Sequence, residues 1–208
     1  MAYIGNKPAN KAVVASDLDP AVITGQTALA VAPADTDEFL ISDAGTLKRI
    51  DASLVGGGGI TEADQWRITA NITSDQSPIS SNLERNDSTG YGRIGTGITE
   101  SSGIFSFGST GIYKVSYTLV CYPDVNDDIF GDIQVTINNS SYSSVAEVSL
   151  SRDGNGITTG STFALVDVTD TSNVKVRFIV TDISSGSTVR GDSSKNKTFF
   201  EFIRLGDT

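Results

Sequence analysis

From Trp66 onward, apolar and polar residues alternate with a period of two. In Trp66-Arg67-Ile68-Thr69-Ala70-Asn71-Ile72-Thr73 every even position is apolar and every odd one polar, the pattern of a strand with one wet and one buried face. The alternation returns with Tyr113, Val115, Tyr117, Leu119 and Cys121 on one face of a long strand, then with Ile133, Val135 and Ile137, and then with Ala146, Val148 and Leu150. Phe163-Ala164-Leu165-Val166-Asp167-Val168 follows, then Val174, Val176, Phe178 and Val180, then the closing Phe199-Phe200-Glu201-Phe202-Ile203-Arg204-Leu205. Turn-forming stretches such as Asp153-Gly154-Asn155-Gly156 and Ser184-Ser185-Gly186-Ser187 separate these runs. The pattern predicts about eight or more strands in an all-β antiparallel sandwich, with no long amphipathic helix.

Before Trp66 the texture differs. Gly56-Gly57-Gly58-Gly59 interrupts the chain with four residues that lack a Cβ and cost entropy to order. The cut divides a small segment, residues 1–55, from a linker at 56–64 and a head at 65–208. In the small segment, Asp37 to Ile41 and Thr46 to Ile50 flank the turn cluster Ser42-Asp43-Ala44-Gly45, which predicts a β-hairpin. Such a two-stranded unit is marginal alone and needs a neighbour to pack against. Asp17 to Ile23, with Pro20 near a first turn and Gly25 beyond, predicts a short helix.

Composition agrees with strands, because the chain is rich in Gly, Ser, Thr, Val and Ile and poor in strong helix formers. A formal charge of −10 disfavours nucleic acid, whose binding depends on Lys and Arg neutralising phosphates. With Cys121 as the one cysteine there is no intrachain disulfide framework, so stability must come from packing or assembly. The N-terminus carries no charged-then-apolar signal pattern, and no run reaches the ~18 apolar residues of a membrane span, so a cytoplasmically made chain without membrane insertion is expected.

One constellation is more specific than the alternation. Phe105 is followed after five residues by Gly111, then by Tyr113, Val115 and Tyr117 at even steps, so that large side chains leave a turn on one strand face. This spacing, with the aromatic closing strand at Phe199, Phe200 and Phe202, resembles the globular head of complement component 1q, a jelly roll of the tumour-necrosis-factor superfamily. The resemblance spans Trp66 to Leu205. It implies a homotrimeric jelly-roll head around an axis lined by one sheet, with Trp66, Phe105, Gly111, Tyr113, Tyr117, Phe200 and Phe202 in trimer or core packing.

The first 55 residues carry a second resemblance. Tyr3-Ile4-Gly5-Asn6-Lys7-Pro8-Ala9 and the stretch Pro33 to Ile50 are similar to leader segments on structural proteins of tailed bacteriophages, marine ones in particular. This implies a virion protein, exposed on the particle surface, that docks on other virion proteins through Tyr3, Ile4, Asn6, Phe39, Leu40, Leu47 and Ile50. A tail fibre presenting its head to a host glycan or protein is the leading expectation, and a capsid decoration protein of the same architecture is its rival.

Catalysis finds little support. The chain has no histidine, which removes Ser-His-Asp and Cys-His arrangements, and no cofactor is expected. A carboxylate-based hydrolase of surface polysaccharide stays as a distant alternative, since it requires two carboxylates across one cleft. Cys121, on the inward side of its strand, is expected to be a buried structural thiol. Asp124, Asn126, Asp127, Asp128 and Asp132 crowd an expected loop that offers oxygen ligands to calcium, without the ordered spacing of an EF-hand; a solvated acidic loop is the favoured reading. Gly90-Tyr91-Gly92-Arg93-Ile94-Gly95-Thr96-Gly97 lacks the Lys-Ser/Thr of a phosphate loop and reads as a bent strand. Tyr91, Tyr122, Tyr142 and Arg190 fall in or beside expected loops, where they serve packing, trimer contact or receptor contact.

Overall fold

The computed structural model describes residues 21–208 except 26, 28, 32, 35, 56–58, 126 and 152–155. Tyr3, Ile4, Asn6, Asn126, the Asp153 to Asn155 turn and most of the glycine linker therefore lie outside the described residues. The chain divides into two compact units, Met1–Gly57 and Gly58–Thr208.

In the first unit, the expected helix is a single turn, α1 (Ala21–Thr24), closed by Gly25 N–H donating to the Ala21 carbonyl at 2.9 Å. The expected hairpin is β1 (Glu38–Asp43) paired with β2 (Thr46–Asp51). Its turn places both Ala44 (φ 48°) and Gly45 (φ 82°) in the left-handed region, the geometry that matches the twist of a two-residue hairpin. Pairing sets Phe39 against Ile50 and Leu40 against Arg49, so apolar side chains occupy both faces, and every hairpin side chain but Ile50 is exposed.

The second unit is a sandwich of antiparallel strands. They are β3 (Ala63–Ile68), β4 (Leu83–Arg85), β5 (Thr99–Ser101), β6 (Ile104–Ser106), β7 (Gly111–Tyr122), β8 (Asp128–Thr136), β9 (Ser143–Ser151), β10 (Thr158–Val168), β11 (Lys175–Thr181), β12 (Thr188–Val189) and β13 (Phe199–Gly206). One sheet runs β10-β7-β13-β3-β4, with β12 also on β7; the other runs β5-β6-β11-β8-β9. Neighbours far apart in sequence, such as β3 and β13, pair because the closing strand returns to the middle of the first sheet.

Alternation sets the core. Tyr113, Val115, Tyr117, Leu119 and Cys121 of β7 point inward with no exposed surface, against Phe178 of β11 and Phe105 of β6. Phe105 contacts four rings, those of Trp66, Phe178, Phe200 and Phe202, with centroids 5.3 to 5.7 Å apart. Edge-to-face contacts of this kind add about 0.5–1.5 kcal/mol each beyond area burial. Gly111 (φ 141°) opens β7 where a Cβ would come within 2.5 Å of the Gly206 carbonyl oxygen and Arg204 Nε. Gly131 leaves room for Tyr117, whose ring a Cβ there would meet at 2.8 Å.

Several expectations need correction. The strand beginning at Trp66 instead spans Ala63–Ile68, after which Ile72 makes only an isolated bridge to Val189. Arg67, expected on a wet face, is wholly enclosed because the segments around Asp87 and Ser193 fold over it. Ile137 is 78% exposed, since β8 ends at Thr136 and the chain turns through Asn139 in the left-handed region. Gly90 to Gly97 is not a bent strand: positive φ at Gly90, Gly95 and Gly97 breaks the ladder, leaving one bridge between Ile94 and Ala63. Asp128 and Asp132 lie on β8 and not in the preceding loop.

Candidate assembly face

The two sheets present unlike faces to solvent. On the second sheet, Arg177 Nε donates to Gln134 at 2.7 Å, Gln134 Nε2 donates to Ser144 at 3.0 Å, and Ser144 Oγ donates to Asp132. The Arg177 guanidinium also covers the Tyr142 ring at 4.2 Å. These polar side chains of that face bond one another.

The first sheet differs. Register aligns its outward residues in rows across β10, β7, β13 and β3: Leu165, Lys114, Ile203 and Ala63; then Phe163, Ser116, Glu201 and Gln65; then Ser161, Thr118, Phe199 and Arg67. Phe163 and Leu165 are 58% and 62% exposed, and Ile203 and Phe199 are half-buried. Only Lys114 and Glu201 bring accessible charge to these rows, because Arg67 is covered. The Lys114 ammonium lies 5.1 Å from the Phe163 ring, and Gln65 Nε2 donates to Glu201 at 2.8 Å. Exposed aromatic and aliphatic side chains gathered on one sheet face mark a contact surface more than a solvated one.

A hollow of about 220 Å³ opens on the β3 and β13 side of this face, lined by Ala63, Gln65, Gly90, Tyr91, Gly92 and Glu201 among others. Its wall is held from beneath. The Tyr91 hydroxyl donates to Asp64 at 2.8 Å and accepts from Gln65 N–H at 2.9 Å. Burial, with that bond to Asp64, pushes the Tyr91 hydroxyl up to about 12. Asp64 itself is buried and also accepts from Arg85 Nε (3.0 Å), Ile98 N–H (2.8 Å) and Trp66 Nε1 (3.3 Å). Glu62, also buried and two residues earlier, accepts from Gly97 N–H and Thr96. These carboxylates act as anchors for the irregular segment, since their oxygens are taken up by backbone and side-chain donors.

The remaining predicted residues separate. Trp66, Phe105, Tyr113, Tyr117, Phe200 and Phe202 sit inside the head, which turns them toward core packing and away from the outward face. Asp127 accepts from Ser187 Oγ and Ser184 N–H; burial works against its charge, but these hydrogen bonds prevail and hold its carboxyl below the usual range. Asp124 lies against Gly186, and Asp132 faces outward to Ser144. Among the described residues no three His, Cys, Asp or Glu side chains converge to hold a metal. Cys121 is buried, and burial pushes its thiol up to about 12. Phe39, Leu40, Leu47 and Ile50 lie together on the hairpin. Arg190 donates its backbone N–H to Val120.

Sequence reading missed Glu62, Asp64, Arg67, Phe163 and Leu165. A signal existed for Asp64, because extending the alternation back from Trp66 places it on the inward face.

Solved structures resemble this chain. Murine APRIL at pH 5.0 matches with a TM-score of 0.53 at 10% identity, over 69% of this chain and 98% of that one. Eiger TNF from S. frugiperda matches with a TM-score of 0.53 at 13% identity, over 72% of this chain and 96% of that one. The head has a tumour-necrosis-factor-like jelly-roll fold. No family model matches the sequence, and no curated protein matches it. Identities this low carry the fold alone, so the use of the jelly roll rests on its own residues.

Proposed function

We propose that this chain is a structural protein of a tailed bacteriophage particle, a homotrimeric tail fibre. Its N-terminal segment docks on the virion and its jelly-roll head is presented for binding to a host-surface glycan or protein. The observation that carries the assembly is the outward face of the β10-β7-β13-β3 sheet, where Phe163 and Leu165 stand exposed, while the other sheet carries the bonded cluster of Arg177, Gln134, Ser144 and Asp132. The resemblance of the Phe105, Gly111, Tyr113 and Tyr117 spacing to complement-type heads supports three copies. Three linked copies raise a modest site to useful avidity through effective concentration.

The docking role draws support from the hairpin. Leu40 and Leu47 are exposed there, and a two-stranded unit with apolar residues on both faces needs a partner for stability. Catalysis plays no part in this reading, which uses binding without covalent chemistry. Sedimentation of the full chain is expected to give the mass of a trimer; a monomer overturns the assembly. Gold-labelled antibody against the head is expected on the tail of the particle, and label on the capsid shell overturns the fibre reading in favour of decoration.

A further inference from the structure

We infer that the ring of heads closes by seating the Phe163–Leu165 ridge of one copy in the hollow beside Tyr91 of the next. This rests on the trimeric reading above and assigns its contacts. The ridge and the hollow lie on the same face at opposite sides, with β7 and β13 between β10 and β3. Strands sit about 4.8 Å apart, so β10 and β3 are roughly 14 Å from each other, with Glu201 of β13 as the wall of the hollow nearest Phe163. Two unlike patches on one chain are what a head-to-tail contact requires, and such contacts generate a closed ring when the rotation between copies closes.

Size and chemistry match. The hollow holds about 220 Å³, more than the ~150 Å³ in which an apolar cavity accepts benzene, so a phenyl ring fits. Space is free above its wall, since no atom lies within 4 Å of the Cβ positions of Gly90 and Gly92. Its shape exists before contact, because Tyr91 is fixed by Asp64 and Gln65, and a preformed site avoids the entropy of ordering it. Charge also agrees. Lys114 lies over the Phe163 ring and forms no ion pair with any described carboxylate, whereas the hollow is rimmed by Glu201. The chain thus carries both halves of one contact, and a second copy is the partner that fits.

Thiol pairing in the full chain tests this. Phe163→Cys combined with Gly92→Cys is expected to give, on mild oxidation, covalent dimers and trimers on a non-reducing gel, and a mixture of the two single variants is expected to give dimers only. Cys121 is buried and takes no part. If the wild type has trimeric mass but the pair fails to link, or Phe163→Cys links to itself, the seating is overturned while the trimer stands. If the wild type is monomeric or dimeric, the trimeric reading itself falls. As an independent check, Gly92→Phe fills the hollow from its own side. It is expected to weaken assembly at least about tenfold with unchanged circular dichroism, as does Phe163→Ala, and unchanged assembly in both overturns the inference.

Discussion

The Phe200 ring of β13 lies flat against the Phe178 ring of β11, with centroids 3.8 Å and planes 15° apart. Each belongs to a different sheet, so this one stack joins the two layers at the centre of the aromatic cluster. Truncation there leaves a cavity that neither sheet can close without moving. Phe200→Ala is therefore expected to cost about 3–5 kcal/mol in urea unfolding, and Phe200→Leu distinctly less. A loss below about 1 kcal/mol for the alanine variant would show that the sheets are held elsewhere.

Arg67 is enclosed, yet its partners are not. Its guanidinium donates to Glu84 (2.9 Å), Ser88 (2.8 Å), Asn86 (3.2 Å), Asp87 and the Ser193 carbonyl. Removing the hub leaves several of these groups unpaired around a void, and Arg67→Ala is expected to lower stability by about 3–5 kcal/mol. Asp87 is mostly exposed and is one acceptor among five, so Asp87→Ala is expected to cost under about 1 kcal/mol. Equal losses from the two variants would contradict a hub held by shared contacts.

Backbone geometry makes a sharper contrast among glycines. Gly111→Ala combines positive φ with a Cβ at 2.5 Å from a carbonyl oxygen, and a melting temperature several degrees lower is expected. Gly206 has ordinary φ and open space, so Gly206→Ala is expected to leave melting unchanged. A reversed order of the two would mean that the end of β13 yields easily to a side chain on β7.

Alkaline pH should unfold the head through its buried acids. Burial pushes the Cys121 thiol up to about 12, while in an unfolded chain it ionises near about 8.5. Between those values the native state holds the extra proton, so stability is whole below the lower one and falls as pH rises toward the upper. The slope for Cys121 is on the order of 1.4 kcal/mol per pH unit. Tyr91, also raised, adds to the descent above about pH 10. Urea midpoints from pH 7 upward are expected to fall less steeply in Cys121→Ala than in the wild type, and parallel curves would remove the thiol from the explanation.

Much of the head could be read from local pattern. In β7 the alternation from Tyr113 to Cys121 names the inward residues without error, because a strand's side chains must alternate and one face must leave water. The hairpin at Ala44 and Gly45 was equally legible, since turn chemistry acts over a few residues. The assembly face was not. Phe163 to Val168 is a nearly continuous apolar run, and period two alone does not say that Phe163 and Leu165 point outward while Ala164 and Val166 point inward. The Gly90-Tyr91-Gly92 segment gave no sign of a hollow, because the hollow needs Gln65 and Glu201 beside it.

Sequence by itself determined that the head is built of strands, which residues of β7 face inward, and that histidine chemistry is impossible. Tertiary structure alone decided that Arg67 is enclosed by segments near Asp87 and Ser193, that Asp132 leaves its acidic neighbours for an outward strand position, and that the ridge and the hollow share one face. The physical reason is range. Alternation and turn preference are properties of adjacent residues, whereas enclosure and shared faces follow from pairings such as Phe199 with Arg67, more than a hundred positions apart in the chain.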